Sequence, residues 1–294
     1  MQNSKKTIRA FTLVEVLTTV AIIGILLAVL IPAFNQVGKT ATRVKQRAQF
    51  QNIEIALETF RSDTGDYPPS HFDTSIGEYS AAERLAEAVV GRDGFGFHPA
   101  SRFRWDGKGD IDGDGVLDPT APNSMIYNAI DGVIGSSGYV QTAEENRSVR
   151  KGPYLELENA NAVRLSNYGA IYQSLWQKQN KPPSLVLADV FKTAKLTTGR
   201  KTGRPILYYR ANRLKTGHSA DTIGANTYAY AEGNVIATLT GQSIEAGWFY
   251  NRTRNPNFTD PPRPYRAESF ILHSAGPDGV YGTTDDVFNF DERD

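Results

Sequence analysis

RAFTLVEVLTTVAIIGILLAVLIPAF, residues 9–34, is the stretch that decides how this chain is organised. From Val16 to Phe34 it runs 19 residues without a charge. A helix of that length rises roughly 29 Å, close to the hydrocarbon thickness of a bilayer. Ahead of it stand Lys5, Lys6 and Arg9, with no acid among residues 1–10. Positive charge on that flank alone predicts an N-terminus held in the cytoplasm and the rest of the chain sent across. One acid, Glu15, sits at the threshold of the apolar run. A carboxylate at membrane depth costs on the order of a few kcal/mol, so it points to a function.

Ordinary readings of this stretch compete. A buried core helix would set the uncharged run at the N-terminal end of a polar chain. A secretory signal peptide fits the basic start, but its apolar region normally runs about 7–15 residues to a small-residue cleavage site. Here the run is longer, and Pro32-Ala33-Phe34 leads straight into a helical pattern. A plain signal anchor fits and leaves Glu15 unexplained.

Arg9-Ala10-Phe11-Thr12-Leu13-Val14-Glu15-Val16-Leu17 resembles the processing site of type IV pilins and type II secretion pseudopilins. The resemblance implies that prepilin peptidase removes a leader, residues 1–10, by cutting between Ala10 and Phe11, and that Phe11 is then methylated. Glu15 becomes the fifth residue of the mature chain. Its carboxylate is implied to pair with the N-terminal amine of a neighbouring subunit during filament assembly. Two such charges in a low-dielectric helix core are costly apart and tolerable together. Gly24 and Pro32 fall where the family commonly places a glycine and a helix-bending proline. Ala10 stands where the family usually has glycine. The implied partners are identical subunits, prepilin peptidase, inner-membrane assembly proteins and the membrane itself. The implied location is the bacterial inner membrane, single-pass with a periplasmic globular domain, and then a filament.

The apolar helix continues. Val37, Ala41, Val44, Ala48, then Phe50, Ile53, Leu57 and Phe60 recur at spacings that predict an amphipathic helix over 35–64. Lys39, Arg43, Lys45 and Arg47 cluster on its early turns. Gly65, Pro68 and Pro69 end it. The expected order is therefore a leader at 1–10, a membrane or filament-core helix at 11–34, its amphipathic half at 35–64 and a globular domain at 65–294. The fold class is α+β, with the long helix packed on a C-terminal antiparallel sheet and a large insertion at about 91–183. Tyr79 to Val90 predicts a short helix, and Asn161 to Gln177 another. Strands are expected at Ser184–Phe191, Pro205–Ala211, Gly247–Asn251 and Glu268–His273, with a hairpin over Thr227–Thr240 turning at Glu232-Gly233-Asn234.

Composition sets outer limits. The 294 residues suit one large domain or two small ones. Lys+Arg equals Asp+Glu at 32 each, which removes the electrostatic argument for nucleic acid as a partner. With no Cys, disulfides, thiolate metal sites and Cys nucleophiles are excluded.

Two acidic loops carry possible chemistry. Asp110-Ile111-Asp112-Gly113-Asp114-Gly115-Val116-Leu117-Asp118 sets carboxylates at alternate positions before glycine, as in the first half of an EF-hand loop. Ala121 stands where an EF-hand needs its bidentate Glu, and Asp106 is a candidate replacement. A hard cation, Ca²⁺ above all, would offset the repulsion among Asp110, Asp112, Asp114 and Asp118. The alternative is a solvated Asp/Gly turn. The second loop, Ser274 to Val287, resembles the C-terminal calcium loop of the major type II pseudopilin. That resemblance implies Asp278 and Asp285 or Asp286 as side-chain ligands of one calcium ion, and it tilts the reading toward a pseudopilus. A plain acidic tail is the alternative.

Enzyme signatures are weak. Gly217-His218-Ser219-Ala220-Asp221 departs from a nucleophile elbow at its last position, and the four histidines lack zinc-ligand spacing. The expectation is a non-enzymatic structural subunit supporting protein secretion. A membrane-anchored periplasmic calcium-binding protein or enzyme, and a minor tip pilin or adhesin, remain the competing classes.

Overall fold

The structure, a computed structural model, describes residues 12–71, 79–117, 126–127, 133–177 and 181–290. It divides into two compact units, Met1–Val44 and Lys45–Asp294. Helix α1, Leu13–Thr64, is 52 residues long and contributes to both. It ends where the sequence predicts. Gly65 adopts φ +90 and its N–H donates to the Arg61 carbonyl at 2.8 Å, a left-handed exit that a Cβ would strain.

In the first unit the apolar side chains of α1 are exposed on every side. Ile25, Leu26 and Leu27 are 67%, 55% and 50% exposed. At about 100° per residue, exposed Leu17, Ile22, Ile23 and Ile25 point to all sides of the helix, so no single face is buried.

The second unit is an α+β assembly. Helix α2 is Ala81–Val90. Strands β1 (Val133–Ile134) and β2 (Val140–Gln141) form a hairpin followed by α3, Ala143–Ser148. Strand β3 (Ala162–Arg164) precedes the short α4, Gln173–Trp176, and pairs with β4, Leu185–Leu187. Strands β5 (Ala194–Lys195) and β6 (Lys201–Thr202) pair with each other. Strand β7 is Leu207–Arg210. Helices α5 (Ala231–Ala237) and α6 (Ala246–Arg252) follow, then the hairpin of β8 (Arg254–Thr259) and β9 (Pro262–Pro264). Strand β10 (Phe270–Ser274) lies between β7 and β11 (Val287–Phe288), antiparallel to both.

One core cluster gathers Phe50, Ile53 and Leu57 of α1, Leu85 and Val89 of α2, Tyr208 of β7, and Phe270 and Leu272 of β10. Polar contacts accompany it. The Gln49 amide donates to the Ala188 carbonyl at 2.9 Å, and Asn289 donates to Glu54 at 2.8 Å. All ten residues of α2 are buried, charges included. Ser80 caps it reciprocally with Glu83, and Glu83 receives Lys181 at 2.7 Å with both side chains fully enclosed. A buried ion would be costly alone. Here Ser80, Lys181 and Ser184 satisfy the carboxylate, and despite burial it stays below the ordinary range.

Several elements differ from the sequence expectation. The hairpin expected at Thr227–Thr240 is instead α5, so Glu232-Gly233-Asn234 is not its turn. Ile236 and Ala237 are buried, and the Glu232 carboxylate accepts from Ser70 at 2.6 Å. The tertiary partner overrides the β-propensity of the flanking residues. The strand expected at Gly247–Asn251 is α6, whose Phe249 and Tyr250 pack in the second large core cluster. An aromatic run reads as a strand by propensity, but a helix here turns adjacent rings into one core. The helix expected across Asn161–Gln177 breaks into β3, a 3₁₀ stretch with Gly169 at φ +65, and α4.

Candidate functional site

The start of α1 is built by its own sequence. Thr12 is the N-cap: its hydroxyl accepts from the Glu15 N–H at 3.2 Å. Glu15 answers, because its Oε2 accepts from the Thr12 N–H at 2.9 Å and from the Thr12 hydroxyl at 2.8 Å. This is a capping box, which satisfies amides that no helical carbonyl reaches. The Thr-x-x-Glu spacing carries that signal in the sequence, and the reading centred on Glu15 alone misses it. Both bonds to Thr12 fall on Oε2. Ala10 and Phe11, the expected cleavage and methylation positions, lie outside the described residues.

Residues 5–31 match the family model of the prokaryotic N-terminal methylation motif. The chain carries a prepilin-type signal. That signal marks type IV pilins and pseudopilins and supports processing by prepilin peptidase. No curated protein and no solved structure matches the chain. The prepilin-type signal covers Thr12 and Glu15 of the capping box and the first nineteen positions of α1, Leu13 to Ile31, where the apolar side chains from Leu13 to Leu27 are exposed. It points to anchoring through the N-terminus. Among the described residues, no helix is long and apolar enough to cross a membrane.

The C-terminal acidic loop brings Asp278, Asp285 and Asp286 together, with one oxygen of each within 4.8 Å of the others. The Thr283 hydroxyl lies among them, 3.1 Å from Asp278 Oδ2, 2.5 Å from Asp285 Oδ1 and 3.4 Å from Asp286 Oδ1. A hydroxyl has one hydrogen, so it serves one of these acceptors at a time. Burial lifts Asp278 above the ordinary carboxylate range. Asp285 also feels burial, but hydrogen bonds from Thr283 and Asp278 hold it below that range. Three carboxylates converging on one point offer oxygen ligands of the kind a hard cation such as Ca²⁺ takes. Gly276, at φ +67, lets the loop close: a Cβ there would sit 2.3 Å from the Asp285 carbonyl oxygen.

Behind the loop, Asp286 Oδ2 lies 2.6 Å from His273 Nε2, with both side chains fully buried. Neighbouring Ser274 donates instead to Asp189 at 2.8 Å. The two residues of β10 thus have separate partners. Burial raises Asp189 to about 6. His218, in the Gly217–Asp221 segment, lies 3.0 Å from the Thr253 hydroxyl, and burial lowers it to about 4.

The first acidic loop also converges. Asp110, Asp112 and Asp114 offer oxygens within 4.8 Å of one another. Asp118 lies outside the described residues. Asp106 is not part of the cluster: its carboxylate is gripped by Arg104 at 3.1 and 2.9 Å. Ser136 and Ser137, which reach this loop from the β1–β2 turn, carry no local sequence signal for doing so.

Proposed function

We propose that the chain is a structural subunit of a type II secretion pseudopilus or a type IV pilus-like filament, with no catalytic role of its own. One observation carries the reading. A prepilin-type signal leads directly into a helix whose apolar side chains are exposed on every side and whose first turn holds an acid. An apolar surface of that kind needs lipid or the same surface of other copies. The helix first anchors the precursor in the inner membrane, with residues 45–294 on the periplasmic side, and then bundles with its copies.

Glu15 has two roles in this scheme. In one chain it seals the first-turn amides, which have no water partner inside a bilayer. In the filament its negative charge meets the amine freed at Phe11 of a neighbouring subunit. The amphipathic half of α1 forms the platform for the sheet of β7, β10 and β11. The C-terminal loop binds calcium through Asp278, Asp285 and Asp286, and the acid density there favours the pseudopilus.

Intact mass of the membrane-extracted protein tests the reading. The expected species begins at a methylated Phe11. A chain that keeps Met1 in cells with active prepilin peptidase overturns it.

A further inference from the structure

We infer that Asp110, Asp112 and Asp114 hold a Ca²⁺ ion where the 110–116 loop meets the turn between β1 and β2. The inference does not depend on filament assembly or on the C-terminal loop.

The decisive atom is Asp110 Oδ1. The Asp110 side chain is only 5% exposed. Its Oδ2 is satisfied by the Gly115 N–H at 3.1 Å and by the Arg102 guanidinium at 2.8 Å. Its Oδ1 is buried and, among the described residues, has no hydrogen-bond partner. An oxygen of a buried carboxylate left in that state is costly and calls for a partner. The same carboxyl group lies in the cluster with Asp112 and Asp114.

The other two acids leave charge to be compensated. Asp112 Oδ2 accepts from the Ser137 N–H at 2.8 Å. The Ser136 hydroxyl stands 2.6 Å from Asp114 Oδ2 and 3.3 Å from Asp112 Oδ2, with one hydrogen for both. Gly135 allows the approach, since a Cβ there would come within 2.7 Å of Asp112 Oδ2. Arg102 offsets one negative charge of three, from an exposed position.

The cation's identity follows from the donor set. All donors are oxygens, which excludes a preference for soft metals. They sit on an irregular loop already bent by hydrogen bonds, which suits the variable 6–8-fold shell of Ca²⁺ better than the strict octahedron of Mg²⁺. The bidentate twelfth-position Glu of an EF-hand is missing. Affinity should therefore fall in the weak range typical of extracellular modules, a Kd of about 10⁻⁴–10⁻³ M.

The test uses the full chain in detergent, stripped with chelator and titrated with CaCl₂ by equilibrium dialysis. Asp278→Asn with Asp285→Asn silences the C-terminal loop. In that background one Ca²⁺ per chain is expected, and none after adding Asp112→Asn with Asp114→Asn. An equal count in both, no binding in the first, or equal affinity for Mg²⁺ overturns the inference. Hydrogen exchange on the unmutated chain guards against misfolded variants. Ca²⁺ should slow exchange in both 110–117 and 133–141 by at least roughly tenfold, about 1.4 kcal/mol, and unchanged exchange there also overturns it. The mass of the mature chain, read separately, reports on the filament reading alone.

Discussion

Glu15 closes the first turn of the long helix on Thr12, with the same carboxylate that the proposed filament contact would need. The two uses separate by substitution. Glutamine keeps a capping box, and alanine removes it. Glu15→Gln should leave helix content and leader cleavage unchanged but lower filament yield by roughly tenfold or more, since breaking a buried ion pair costs about 3–5 kcal/mol. Sheared-filament yield against total subunit is the readout. Normal yield from Glu15→Gln would mean that capping, and not charge, is the function of this acid.

Calcium should matter at the C-terminal loop in a way that the loop's own acids control. Chelation should lower the melting temperature of the wild-type chain, and Asp285→Asn should shrink that shift, because the loop then carries less repulsion to offset. Differential scanning calorimetry with and without chelator measures both. An identical shift in the variant would leave the loop as an acidic turn.

Lys181 and Glu83 form a fully enclosed pair. Lys181→Met leaves the carboxylate of α2 without its cation and should destabilise the fold by about 3–5 kcal/mol. The double variant Lys181→Met with Glu83→Gln should recover part of that loss. Denaturant midpoints of the four chains give the coupling directly.

Burial lifts Glu232 to about 7. The folded chain therefore keeps a proton that the unfolded chain releases above about 4.5. Stability from this group is fully present below about pH 4.5 and is lost as pH rises to 7, a change on the order of 3 kcal/mol. His98, lowered to about 4 by burial, works in the opposite direction as pH falls below about 6.5. Glu232→Gln should remove the Glu232 contribution between pH 4.5 and 7 while leaving the contribution of His98 in place. Urea unfolding at pH 4.5, 5.5 and 7 resolves the two.

Local chemistry made part of this molecule legible in its sequence. The end of α1 at Gly65, the α2 helix and the strands around Leu207 and Ile271 follow from turn residues and apolar spacing. The convergence of Asp278, Asp285 and Asp286 follows from a glycine-bent loop. The rest was set by distant partners. Ser70 draws Glu232 into a helix, and the core claims Phe249 and Tyr250, so two segments rich in strand formers became helical. Ser136 and Ser137 meet Asp112 across more than twenty residues, beyond the reach of any motif. The capping boxes were legible and easily passed over: Thr12 with Glu15, Ser80 with Glu83 and Thr142 with Glu145 share one spacing.

Helix α2 leaves no residue facing water. Its acid Glu83 waits for a lysine that is synthesised 98 positions later. A ribosome working from the N-terminus therefore delivers a strip of protein that cannot settle early. The buried pair at the heart of α2 can close only after residue 181 has been made.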